Sequence, residues 1–247
     1  MWSSESLIIV GVTFLIAGLV KGVIGLGLPT VSLALLTAAL GLKPAMALLL
    51  LPSFVTNVWQ GVVGGAFLAV LRRLWLLLGA VCLGTWFGVR VLANTDAALL
   101  SALLGVLIGV YAAWSLAGFR VPGPGKSESW LSPVIGGVNG VLTGLTGSFV
   151  VPGVPYLQAL ALPRDTMIQA MGVLFTVSTV ALAVAMNDFQ LLTLDLGTLS
   201  AAGVLPALLG MVLGQRLRNR LSDTAFRKVF FSALLVLGIY LAVRPVF

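Results

Sequence analysis

Lys21, Gly22, Gly25, Gly27, Pro29 and Thr30 fall close together in an otherwise apolar run, and Asn139, Gly140, Thr143, Gly144, Thr146, Gly147, Ser148 and Pro152 repeat the same mixture in the second half. An ammonium, an amide and hydroxyls beside glycine-rich backbone that runs up to a proline suit the holding of a small oxyanion. Where a helix is interrupted, the first N–H groups of the next half-helix lack intrahelical acceptors and carry about half a positive charge. Glycines let an anion's oxygens reach that backbone, and Thr30, Thr143, Thr146 and Ser148 add hydroxyl donors. Lys21 supplies a full charge just before the first break, and Asn139 holds the corresponding place before Gly140. Asn57 and Gln60, one turn apart, are candidates to line the same pathway, with Ser178 and Thr179 placed comparably in the second half.

Each of these residues also has a structural reading. Gly22 and Gly25 suit close helix packing in a membrane. Lys21 can lay its stem along apolar surface and carry its charge to a headgroup. Asn57, Gln60, Ser178 and Thr179 serve equally as interhelical hydrogen bonders, and Trp59 and Cys82 read as packing residues.

The elements that position these residues follow from composition. Of 247 residues, 60% are hydrophobic and 9% charged, against about 25% charged in an ordinary soluble domain. Apolar stretches at 7–28, 29–41, 44–69, 74–93, 97–118, 131–150, 152–162, 165–187, 194–215 and 224–243 fill the chain. They imply an all-α integral membrane protein of one transmembrane domain, because helices satisfy their own backbone in lipid and no alternating strand pattern is present. Met1 to Ser6 carry no basic residue, so the first stretch reads as a retained helix rather than a signal peptide.

Segments 29–41 and 152–162 are too short to span, reaching about 16 to 20 Å against a hydrocarbon core of about 30 Å. Each starts at a proline, Pro29 or Pro152, placed as a half-helix start after a glycine-rich break. "KGVIGLGLPTVSLALL" and "NGVLTGLTGSFVVPGVPYLQAL" are followed by "GLKPAMA" and "LPRDTMIQA". The chain thus reads as a duplication, with one repeat over about 6–118, a linker "FRVPGPGKSESW" at 119–130, and a second over about 131–247. Five segments per repeat invert the second copy, provided each short segment re-enters the face it came from. With both ends outside, Arg72, Arg73, Arg120, Lys126, Arg164, Arg216, Arg218, Arg220, Arg227 and Lys228 share the cytoplasmic face, ten of the fourteen Lys and Arg. Inverted repeats with paired broken helices are a recurring plan of secondary transporters, with substrate held near the midplane.

These paired breaks in duplicated halves resemble the TauE/SafE family of sulfite and organosulfonate exporters over nearly the whole chain. The family's usual form is Gly-x-Gly-Gly-Gly with a proline a few residues on. The first copy here reads Gly22, Gly25, Gly27, Pro29 and the second Gly140, Gly144, Gly147, Pro152. The resemblance implies a bacterial inner-membrane exporter or importer of small sulfur-containing anions. Composition and spacing by themselves imply a transporter.

Other classes fit less well. The net charge of +7 is dispersed over short loops rather than gathered in a basic domain, which argues against nucleic acid as a partner. The partners expected are a small anion and membrane lipid. With no histidine and one cysteine, nothing suggests Ser-His or Cys-His catalysis, a metal site or a cofactor. The seven acidic residues, Glu5, Asp96, Glu128, Asp165, Asp188, Asp195 and Asp223, lie at the ends of apolar segments, which disfavours a buried carboxylate relay. Membrane potential or a proton gradient are the driving forces left open. A carrier of another carboxylate or oxyanion, and a non-transporting membrane assembly factor, are the alternatives.

Overall fold

The computed structural model describes residues 4–119, 121–218 and 222–244, with backbone alone at Asp223. Arg120 and Arg220, assigned above to the cytoplasmic face, lie outside them, as do Met1 to Ser3. The helices are α1 (Ser4–Ile24), α2 (Leu28–Leu40), α3 (Leu42–Leu48), α4 (Leu50–Val62), α5 (Phe67–Asn94), α6 (Ala97–Ala117), α7 (Glu128–Thr146), α8 (Gly153–Ala159), α9 (Arg164–Asp188), α10 (Leu194–Ala202), α11 (Val204–Arg218) and α12 (Asp223–Val243). Among the described residues, six stretches are long and apolar enough to cross a membrane, or seven if α3 and α4 form one bent span. The protein is an all-α polytopic membrane protein, as its hydropathy implies.

Local chemistry explains most boundaries. Asp96 accepts the Ala98 N–H at 2.9 Å to start α6, and Thr193 accepts that of Leu196 at 3.2 Å to start α10. Gly118 and Gly147 end α6 and α7 in the left-handed conformation. The single apolar run expected over 44–69 is instead two helices meeting at Leu49 with a 44° bend. Pro52 has no N–H for the Leu48 carbonyl. Ser200 of α10 fills that place, donating to Leu48 O at 2.8 Å and accepting the Leu51 N–H at 3.2 Å. The run expected over 194–215 stays one apolar stretch, Leu194–Arg218, its helix interrupted at Gly203, and Pro206 occupies the same third position of α11 that Pro52 holds in α4. Arg72, Arg73, Arg164, Arg216, Arg218, Arg227 and Lys228 lie on helices α5, α9, α11 and α12, near one end of each, rather than in the loops between them.

The chain forms two compact units: one of Met1–Pro52, Thr95–Phe119 and Leu191–Phe247, the other of Ser53–Asn94 and Arg120–Gln190. They do not coincide with the two halves of the sequence, since each half contributes to both. In the first unit α1 packs on α11: a Cβ added at Gly18 or Gly22 would lie 2.1 or 2.2 Å from the carbonyl oxygen of Ala207 or Met211. A Cβ added at Gly210 or Gly214 would clash in return with the carbonyl oxygen of Leu15 or Leu19. In the second unit α7 packs on α5 by the same device, since a Cβ added at Gly136, Gly140 or Gly144 would clash with the carbonyl oxygen of Leu77, Val81 or Thr85. Such backbone approach is the form helix association takes where small residues line the contact. At the surface of that pair, Arg73 Nε donates to Glu128 Oε1 at 2.7 Å and Nη2 to Oε2 at 2.9 Å. The guanidinium holds the Glu128 carboxyl below its ordinary pKa.

Candidate functional site

In the first unit the break is short and open. Helix α1 ends at Ile24, Gly25 (φ +79°) donates its N–H to Lys21 O at 2.8 Å, and Gly27 (φ +110°) turns the chain into α2. Both glycines occupy the left-handed region that a Cβ penalises. Space beside Gly25 is free, with no atom within 4 Å of an added Cβ, whereas a Cβ added at Gly27 would lie 3.1 Å from Val20 Cγ1. Pro29 lies in the first turn of α2, not at its first residue, and has no N–H to offer. Leu28 and Thr30 therefore present the helix's leading donors, because the first turn has no intrahelical acceptors. Thr30 is 3% exposed, and its buried hydroxyl has no hydrogen-bond partner among the described residues. Ser32, one turn on, is committed to Leu28 O at 2.7 Å.

Lys21 sits in the last turn of α1, where a cation opposes the helix's negative end. Its side chain is 5% exposed. Protein therefore covers the ammonium, which does not lie along the lipid-facing surface as a snorkelling side chain would.

The second break is built differently. Gly147 caps α7 with φ +75°, its N–H bonded to Thr143 O at 2.7 Å. Thr143 Oγ1 donates to Ser148 O at 3.0 Å, and Thr146 Oγ1 donates to Leu142 O at 2.7 Å while accepting the Ser148 N–H at 3.3 Å. These hydroxyls stitch the break together. Pro152 precedes α8, which starts at Gly153 and has seven residues, about 10 Å of helix rather than the expected 16. The Gly153 N–H is taken by Asn139 Oδ1 at 2.9 Å, and that of Val154 by Val150 O at 2.8 Å. An anion cradle mirroring the first break is thus not repeated here, because a side chain and a carbonyl already satisfy the helix start. Asn139 is 1% exposed and keeps its Nδ2 without a partner among the described residues. In the same unit Ser178 Oγ and Thr85 Oγ1 are buried without a partner among the described residues, while Thr179 donates to Phe175 O at 2.6 Å.

Three residues assigned to the anion have another surface to serve. Gly22, Gly140 and Gly144 lie so close to the backbone of α11 or α5 that even an added Cβ would clash with a carbonyl oxygen, so no space is left there for a ligand. Gln60 Nε2 donates to Ile168 O at 3.0 Å and so ties α4 to α9. Asn57 is fully buried on the same helix. Trp59 is 64% exposed and Cys82 is exposed, so both line the outer surface rather than pack inside. Sequence reasoning passed over Gln169, which is fully buried, accepts the Ala66 N–H at 2.8 Å and donates to Gly61 O at 2.9 Å. A lone glutamine in "LPRDTMIQA" gave no local signal, because its partners lie on α4 and the following turn, 108 and 103 residues away.

A family model described as sulfite exporter TauE/SafE matches residues 10–241. No curated protein matches the chain, and no solved structure does.

Proposed function

The chain belongs to the TauE/SafE sulfite exporter family, and we propose that it carries sulfite, organosulfonates or closely related small anions out across the bacterial cytoplasmic membrane by alternating access. Membership of a transporter family and six apolar spans support an integral membrane transporter rather than an enzyme. The observation that carries the substrate chemistry is the first break. There a buried lysine precedes a helix start whose leading donors and buried Thr30 hydroxyl suit an oxyanion. Gly25 and Gly27 give the anion access to backbone. The duplicated halves are inverted, with both termini outside. An inside-negative potential favours outward anion movement by about 2.3 kcal/mol per charge per 100 mV, so no carboxylate relay is required.

A thermal-unfolding screen of the detergent-solubilised chain tests the substrate class. Sulfite, thiosulfate and short sulfonates are expected to raise the midpoint at lower concentration than sulfate or short carboxylates. Preference for carboxylates would favour another oxyanion carrier. No response to any anion, with no flux in liposomes, would favour an assembly factor.

A further inference from the structure

A cavity of about 480 Å³ opens in the first unit at the opposite end of α2 from the α1–α2 break. The end of α2 and the turn into α3 (Thr37, Gly41), the first turns of α6 (Ala97, Ser101) and the end of α12 (Leu241, Arg244) line it. Thr37 is 2% exposed, and its Oγ1 has no hydrogen-bond partner among the described residues. Ser101 cannot serve Thr37's role, since its hydroxyl proton goes to Ala97 O at 2.7 Å. Arg244 donates Nη1 to Ala38 O at 2.6 Å. A guanidinium has five N–H donors in a fixed fork, so this bond anchors the group without exhausting it. Helix α6 begins here, and Asp96 takes the Ala98 N–H at 2.9 Å, leaving Ala97 among the donors with no intrahelical acceptor. Asp96 is exposed and does not line the cavity. Lys43, in the first turn of α3, adds a second positive charge to the same chain segment.

We propose that this cavity binds an oxyanion group, either the phosphate of a lipid headgroup or a free inorganic oxyanion, through the Arg244 guanidinium, the Thr37 hydroxyl and the first turn of α6. A buried hydroxyl left unsatisfied is costly, and an oxyanion supplies the acceptor that Thr37 lacks while matching the Arg244 fork. The Arg244 guanidinium lies 5.9 Å from the Tyr240 ring centre, an aromatic and arginine pairing typical of headgroup depth. The site shares no residue with the transport reading and stands or falls apart from it.

The test uses the full chain with two probes. Inorganic phosphate is titrated against thermal unfolding in detergent, and retained phosphatidylglycerol is counted by native mass spectrometry. Wild type is expected to show saturable stabilisation by phosphate, retention of the lipid, or both, and the responding arm identifies the source. Thr37→Val, which keeps the side chain's shape, and Arg244→Gln are each expected to weaken the response about tenfold, the loss of one strong hydrogen bond, with Arg244→Lys intermediate. Should Arg244→Gln fail to fold, Thr37→Val decides by itself. Absence of both responses in wild type, or responses unchanged in Thr37→Val, would overturn the site, whatever the anion flux of the same preparations.

Discussion

Asn139 has the clearest divided role of any single side chain. Its Oδ1 holds the Gly153 N–H at 2.9 Å while Nδ2 stays buried without a partner among the described residues. Asn139→Ala would leave the buried Gly153 N–H without an acceptor, an expected cost of about 1–3 kcal/mol in thermal unfolding. An unchanged midpoint would show that something else caps α8. Sequence reasoning placed Asn139 at the site by analogy with Lys21, and it does sit at the second break. That its acceptor oxygen is already used could not be read locally, because the partner is 14 residues on, across the turn.

At the scale of helices, what distinguishes one glycine from another is what lies opposite. Gly137 and Gly140 share α7, yet a Cβ at Gly137 meets nothing within 4 Å and one at Gly140 lies 2.3 Å from Val81 O. Gly137→Ala is therefore expected to be neutral or stabilising by about 0.5–1 kcal/mol. Gly140→Ala is expected to destabilise by about 1–3 kcal/mol or more, since a backbone carbonyl cannot swing aside. Equal unfolding midpoints for the two variants would contradict the packing role. Helix positions were legible in the sequence because hydropathy and Gly/Pro punctuation are local signals. The division of glycines between seam and break was not, since it depends on α5 and α11, far along the chain. The bend at Leu49 lay between: Pro52 announced a carbonyl without a donor, but Ser200, which fills it, is 152 residues from Leu48.

For the whole molecule, both compact units draw on both halves of the chain, an exchange that composition and repeats did not disclose, because linear order records adjacency and not packing. Orientation rests on the Lys and Arg bias. Reporter fusions are expected to place residues 119–130 in the cytoplasm and both termini outside. A periplasmic linker would reverse the orientation. The central claim, that the chain moves small anions selected by the charge at the first break, is tested most directly by anion flux in proteoliposomes at matched incorporation for wild type, Lys21→Met and Lys21→Arg. A charge in a low-dielectric cavity is worth far more than in water, so sulfite flux is expected to fall about tenfold or more in Lys21→Met and to be partly kept in Lys21→Arg. Wild-type flux in the methionine variant would contradict the claim.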